Sequence, residues 1–263
     1  MEYITADTVN RFCNTNEALL KNAPKALVLE FPGLGGNSCL GGVMNYSVYN
    51  NVYTRRFAEK DILVAYLFTG PWSWGNKSAI KIADGVVDAL LEKHSMSNVP
   101  IVVSGGSMGG QSALIYCADS RHKITACAVA CPCFDVHGSY TKTPDLTRSV
   151  ISAVAGYNTS IEEALKRISP LYRINDMQDI PYYILCDSED ELFDAKGMKK
   201  YAQKLNYRIL SGVRFVLLPG LSHGIFTPEE RENFHEFIES ECIPTSLYND
   251  SIFKPLKKER IIQ

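Results

Sequence analysis

Short apolar runs alternate with helix-like segments along most of this chain. Six of the runs have strand length, and they cover residues 26–31, 62–67, 99–103, 124–130, 180–186 and 213–218. Strands that are apolar on both faces and separated by helices are typical of a parallel sheet that helices cover on both sides. The sequence therefore predicts an α/β fold whose sheet is mostly parallel.

Several stretches have the periodicity of amphipathic helices. The clearest are 80–94, 111–118 and a segment that opens with Thr227 and Pro228. The connection 131–179 is longer than the single helix that such a fold needs between two strands. It contains two further helix-like patterns, at 145–155 and 160–168. We therefore expect one domain over 1–263 that carries a small helical cap at about 135–179.

Charge and cysteine usage exclude several classes of protein. Lys and Arg number 27 against 29 Asp and Glu, so the chain of 263 residues has no overall positive field for nucleic acid or an anionic membrane. It has no signal-peptide pattern and no apolar run of about 18 residues. The eight cysteines lack the paired spacing of a structural zinc site. We expect a cytoplasmic protein with reduced thiols and no bound metal, and the sequence leaves its oligomeric state open.

A serine flanked by glycines stands where the run 99–103 passes into a helix. Gly105, Ser107 and Gly109 form the pattern Gly-x-Ser-x-Gly. On a tight strand-to-helix turn such a serine adopts strained backbone angles, and its hydroxyl is exposed above the sheet. The free N–H groups of the following helix favour negative charge at the same place. We predict that Ser107 is a nucleophile and that the Met108 N–H binds an oxyanion.

A phosphate-binding turn is the alternative interpretation of this glycine-rich segment, but the sequence has no Gly-x-x-x-x-Gly-Lys-Ser/Thr motif. A second oxyanion donor is expected from the loop 32–37, which follows the run 26–31 and contains several glycines. The Leu34 N–H is our first candidate and the Gly35 N–H our second.

A serine hydroxyl is a poor nucleophile without a base to accept its proton. Of the five histidines, His223 alone lies in a loop directly after a predicted strand. The others lie in helix-like, charged or cap segments, at His94, His122, His137 and His235. We predict that His223 is the general base.

The base needs a carboxylate that orients it. Residues 187–191 follow the run 180–186 and contain four acidic side chains. Asp190 lies far enough into this loop to turn back toward His223, whereas Asp187 lies at the strand end and is the alternative. We predict a Ser107, Asp190 and His223 triad.

The chain from about residue 26 to 240 resembles the α/β-hydrolase superfamily, in which the triad has this same order. Several motifs resemble the catalytic domain of the prolyl oligopeptidase family, namely residues 105–110, 131–135, 169–170 and 219–223. The resemblance implies an α/β-hydrolase fold of about six to eight strands and acyl hydrolysis through a serine acyl-enzyme. About 25 residues precede the first predicted strand, so we expect the hydrolase domain alone, without a propeller.

Aromatic residues at the predicted catalytic edge are candidates for a substrate pocket. Trp72 and Trp74 follow the run 62–67, and Phe134 and Tyr140 lie at the start of the predicted cap. Such side chains line acyl pockets, or they pack under a cap, and the sequence leaves both possibilities open.

We predict a serine hydrolase that acts on a small carboxylic ester and uses no cofactor. Esters are favoured over peptides, because we expect neither a propeller nor a site for a peptide amino terminus, and because the oxyanion loop lacks the tyrosine of the family's own version. A small-peptide hydrolase is one alternative. The other is a non-catalytic protein that binds a small ligand on the same scaffold, because a fold does not determine a function.

Overall fold

The computed structural model describes residues 3–34 and 50–243. Gly35, the second candidate for an oxyanion donor, lies outside these residues. Within them, seven strands form one sheet in the order β1-β3-β2-β4-β5-β6-β7. The strands are β1 (Cys13–Thr15), β2 (Ala26–Phe31), β3 (Ile62–Leu67), β4 (Ile101–Gly106), β5 (Ala126–Ala130), β6 (Tyr182–Asp187) and β7 (Val213–Leu218).

Strands β2 to β7 run parallel, and β1 pairs antiparallel with β3. The prediction of a mostly parallel sheet is therefore confirmed. All six predicted runs form strands, with ends that differ by at most three residues. The strand β1 was not predicted, because its sequence Cys-Asn-Thr contains no apolar run.

Helices cover both faces of the sheet. The helices are α1 (Val52–Ala58), α2 (Lys77–Lys93), α3 (Met108–Asp119), α4 (Val136–Ser139), α5 (Pro144–Val154), α6 (Ile161–Arg167), α7 (Ala195–Arg208) and α8 (Pro228–Cys242). Buried side chains of α2, α3 and α7 pack on one face. Those of α1 and α8 pack on the other. None of the described helices is long and apolar enough to cross a membrane.

The segment predicted as a cap contains α4, α5 and α6, so its helical character is confirmed. The Ser160 hydroxyl caps α6 by accepting a hydrogen bond from the Glu163 N–H at 3.2 Å. Apolar residues of these helices form a third cluster with Trp74 and Met108. The insert therefore packs beside the start of α3, on the side where Ser107 lies.

Register brings the carboxyl ends of four neighbouring strands to one edge of the sheet. Gly106 of β4 pairs with Ala130 of β5, and Asp187 of β6 pairs with Leu218 of β7. In sheets of this kind, ligands bind outside the carboxyl ends of the strands. The loops that follow β4, β6 and β7 carry Ser107, Asp190 and His223.

Candidate active site

Ser107 lies on a sharp turn between β4 and α3. Its φ is 56° and its ψ is −123°, in a region that side chains with a Cβ rarely adopt. The Ser107 N–H donates to the Ala130 carbonyl at 2.9 Å, which ties the turn to the end of β5. Strain of this kind persists only where the surroundings hold it, and it is common at functional sites.

The glycines of the motif allow the helix to approach the sheet closely. A Cβ on Gly105 would lie 2.5 Å from the Gly109 carbonyl carbon. A Cβ on Gly109 would collide with the Phe31 carbonyl at the end of β2. Both contacts are with backbone, so no side-chain rotation relieves them.

We expect the Gly109→Ala variant to lose at least about 3 kcal/mol of unfolding free energy, because its Cβ forces α3 away from β2. Gly156→Ala is the matched control, since nothing lies within 4 Å of a Cβ added there. Urea denaturation monitored by circular dichroism measures both variants. Equal stability of the two variants would show that the close packing of the serine turn is not required.

The two residues predicted as oxyanion donors pack in one cluster. Met108 is the first residue of α3, and the first N–H groups of a helix have no partner within it. The Met108 side chain is fully buried, and the partly buried Leu34 packs against the same cluster. Met108 directly follows Ser107, and Leu34 packs against the cluster that contains the Met108 side chain. The oxyanion role of the two N–H groups stays a prediction.

His223 and Asp190 form a hydrogen-bonded pair, with His223 Nδ1 2.8 Å from Asp190 Oδ2. The other oxygen of Asp190 accepts hydrogen bonds from the N–H groups of Leu192 at 2.8 Å and Phe193 at 2.9 Å. The Phe193 ring lies edge-on to the imidazole, with centroids 5.4 Å apart. Both the orientation of the carboxylate and that of the imidazole are therefore fixed.

Burial alone would raise the pKa of Asp190. The hydrogen bond with His223 and those from the Phe193 and Leu192 N–H groups outweigh burial, so the pKa of Asp190 lies below its ordinary value. A lowered carboxyl pKa stabilises the fold above the unfolded-state pKa, and this stabilisation is lost as the pH falls. Asp190 is therefore ionised at neutral pH.

Ser107 and the His223–Asp190 pair border the same strand end. The Ser107 N–H is bonded to Ala130, and the next residue is Cys131. One ligand atom each of Cys131, Asp190 and His223 lie within 4.8 Å of one another. The three predicted triad residues are thus gathered at one rim of the sheet. The Ser107 hydroxyl forms no hydrogen bond with His223 in the described chain, and in free enzymes such bonds often tighten only when substrate binds.

Cys131, Asp190 and His223 are also the one group of described residues whose side chains could hold a metal ion. His223 is already bonded to Asp190, and the Cys131 thiol donates to Asp187 at 3.0 Å. The three side chains are therefore engaged in two neighbouring hydrogen-bonded pairs, in which Cys131 is buried and Asp190 and His223 are partly buried. No role was predicted for Cys131, although it lies directly after a predicted strand.

The predicted substrate residues lie in different places. Trp74 is buried under the insert, and its indole N–H donates to the Ser149 hydroxyl at 3.1 Å. Tyr140 is partly buried in the same cluster, whereas Trp72 is 40% exposed. Phe134 packs against Tyr201 of α7, with ring centroids 5.8 Å apart. The structure does not bring the four residues together as one wall, and their part in binding stays a prediction.

A cavity of about 730 Å³ lies between α1 and α8, on the face of the sheet that these two helices cover. Its lining includes Ser104 of β4 and Phe226 of the loop that follows His223. None of the four predicted substrate residues lines it.

The mostly parallel sheet, with a strained serine turn after its central strand β4, defines an α/β-hydrolase. Esterase B from Lactobacillus rhamnosis shares this fold with a TM-score of 0.62 and 14% identity, over 84% of this chain and 76% of that chain. The Pyrococcus horikoshii acylaminoacyl peptidase has a TM-score of 0.67 and 16% identity, over 85% of this chain and 38% of that one. A puromycin-hydrolyzing peptidase from Mycobacterium tuberculosis has a TM-score of 0.64 and 17% identity, over 83% and 34% of the two chains.

A search of the curated proteins finds no match. Residues 73–240, more than half of the chain, match the model of the prolyl oligopeptidase family. The chain belongs to this family, and the resemblance drawn from its motifs is confirmed. Membership places it among hydrolases and leaves ester and peptide substrates to be distinguished.

Proposed function

We propose that this chain is a serine hydrolase that cleaves small carboxylic esters through an acyl-enzyme. The observation that carries the proposal is the His223–Asp190 pair, 2.8 Å apart, at the rim that also holds the strained Ser107 turn. A hydroxyl, an imidazole and an ionised carboxylate at one rim are the groups that acyl transfer needs.

In the proposed mechanism, Ser107 Oγ attacks the acyl carbon while His223 accepts the hydroxyl proton. The N–H groups of Met108 and Leu34 stabilise the negative charge that develops on the carbonyl oxygen. His223 then returns the proton to the departing alcohol, and the acyl group remains on Ser107. A water molecule, deprotonated by His223, releases the acid and restores the serine. Asp190 stabilises the imidazolium in both halves of the reaction.

Esters are the favoured substrate because the surroundings of the oxyanion residues are apolar. Met108, Phe193 and Trp74 are buried in one apolar cluster, and the partly buried Leu34 and Tyr140 pack against it. An uncharged acyl group loses little hydration in such surroundings, whereas the charged amino terminus of a peptide needs a polar partner there.

A small-peptide hydrolase is the second candidate, and family membership supports it. We expect kcat/KM for p-nitrophenyl acetate or butyrate to exceed that for an aminoacyl-proline p-nitroanilide by at least about 100-fold. Stopped-flow absorbance at a common pH measures both substrates. A preference for the anilide would assign the chain to the peptidases instead.

Covalent labelling separates an enzyme from a binding protein. A fluorophosphonate probe reacts with an activated serine, so we expect one adduct per chain, on the peptide that contains Ser107. Intact-protein mass spectrometry and peptide mapping detect it. A chain that forms no adduct and hydrolyses neither substrate would be a ligand-binding member of the family.

A further inference from the structure

Asp187 is a buried acid that the proposed mechanism does not use. It contacts the loop after β7, which carries His223. Asp187, the last residue of β6, is fully buried. Its Oδ2 accepts two hydrogen bonds, from the Gly224 N–H at 3.0 Å and from the Cys131 thiol at 3.0 Å. Its Oδ1 has no hydrogen-bond partner among the described residues. Burying a carboxylate is costly unless it is bonded, so its position calls for a physical explanation.

The Cys131 thiol is a permanent donor in this cluster. Burial, followed by the hydrogen bond to Asp187, raises the pKa of Cys131 far above its ordinary value. Cys131 itself has a φ of 44°, so the chain bends sharply at the end of β5. The thiol therefore stays protonated near neutral pH and donates its hydrogen bond to Asp187 Oδ2.

The bond to Gly224 fixes the far end of the loop that carries His223. The near end is held separately, since the Ser188 N–H donates to Leu218 O at 2.8 Å and the Gly220 N–H donates to Ser188 Oγ at 2.8 Å. Gly224 follows His223 directly and has a φ of 77°, so the chain turns there. The turn is closed by the Ile225 N–H, which donates to Ser222 O at 3.1 Å. The bond from the Gly224 N–H to Asp187 attaches this turn to the end of β6.

We propose that Asp187 is a positioning residue, which holds the backbone next to His223 so that the imidazole faces both Asp190 and Ser107. The inference rests on the proposed function, and it gives Asp187 a task distinct from that of Asp190. Asp187 acts through its acceptor oxygen. An asparagine at position 187 has an amide oxygen that also accepts the hydrogen bond from the Gly224 N–H, so it keeps the loop in place. An alanine has no acceptor and does not.

Two variants and a control test this proposal. We expect Asp187→Ala to lower kcat for p-nitrophenyl butyrate by about 30-fold with KM changed less than twofold, because a small displacement of a reacting group is costly. Asp187→Asn is expected to lose less than fivefold. Glu191→Gln removes one charge from an exposed position of the same loop and is expected to match the wild type. If Asp187→Ala does not fold, Asp187→Leu removes the acceptor and fills the space that alanine leaves, with a side chain larger than aspartate.

The kinetic results distinguish a positioning role of the Asp187 acceptor oxygen from an effect of the buried charge of Asp187. Equal losses in the asparagine and alanine variants would overturn the proposal in favour of the buried charge. Full activity in the alanine variant, or the leucine variant in its place, would also overturn it.

A second readout does not depend on turnover. Nitrogen NMR of selectively labelled histidine reports the hydrogen bond at His223 Nδ1. We expect this signal to shift and broaden in Asp187→Ala and to stay unchanged in Asp187→Asn. An unchanged signal in Asp187→Ala refutes the positioning role even in a chain without activity. Absence of a fluorophosphonate adduct in the wild type refutes the proposed function separately.

Discussion

The Ser107→Ala variant is expected to lose ester hydrolysis by a factor of about 10⁵ to 10⁶ in kcat and to form no fluorophosphonate adduct. The acyl-enzyme mechanism depends on Ser107 Oγ, and the strained turn between β4 and α3 places Ser107 at the rim of the sheet. The remaining activity, from substrate binding and oxyanion stabilisation, is expected to stay about 10³-fold above the uncatalysed rate. Ester hydrolysis with active-site titration of the wild type measures the loss.

Ser112→Ala is the matched control for this loss. Ser112 is a buried serine of α3, the helix that follows Ser107, and its hydroxyl donates to Gln111 Oε1 at 3.2 Å. We expect this variant to keep its activity within about twofold and to take up the probe at Ser107. Hydrolysis by Ser107→Ala at more than one hundredth of the wild-type rate would contradict the assignment of the nucleophile.

The sheet could be predicted because its central strands are apolar on both faces. Runs such as β2 and β4 are buried between two helical layers, so their sequence pattern is continuous and bounded by turn residues. The strand β1 has only Cys13 as an apolar residue and is held by pairing with β3. Pairing of this kind leaves no local signal in the sequence.

The contact between His223 and Asp190 followed from a general rule, since loops after parallel strands meet at one edge. The contact between Cys131 and Asp187 depends on details that the rule does not supply. It requires β5 to lie beside β6 and Cys131 to take a positive φ of 44°. Nothing in the residue types 131–133 indicates that bend.

The surroundings of Trp74 could not be predicted from the sequence either. Trp74 also has a positive φ, of 43°, and its indole N–H is bonded to Ser149 of the insert. Its position depends on how α5 packs, and helical periodicity gives the face of a helix but not its partner. The periodicity therefore predicted the helices of the insert and left its packing undetermined.

The Asp190→Asn variant is expected to lower kcat by about 10³- to 10⁴-fold while leaving the fold intact. The structure determines how the new amide is oriented. The N–H groups of Leu192 and Phe193 both donate to Asp190 Oδ1, so the amide oxygen must take that position. The amide NH₂ then takes the place of Oδ2 and donates to His223 Nδ1. The imidazole is forced into the tautomer with its proton on Nε2, and that nitrogen is then unable to accept the serine proton.

Two measurements on the same sample check this explanation. Kinetics give the loss in kcat, with Glu191→Gln as the control that removes a charge without a hydrogen bond. Nitrogen NMR is expected to show the His223 proton moving from Nδ1 to Nε2. A loss in kcat without a change of tautomer would mean that the charge of Asp190, and not its orienting hydrogen bond, carries the effect. Activity within tenfold of the wild type would remove Asp190 from the triad, because the imidazole would then work without the carboxylate that now lies 2.8 Å from it.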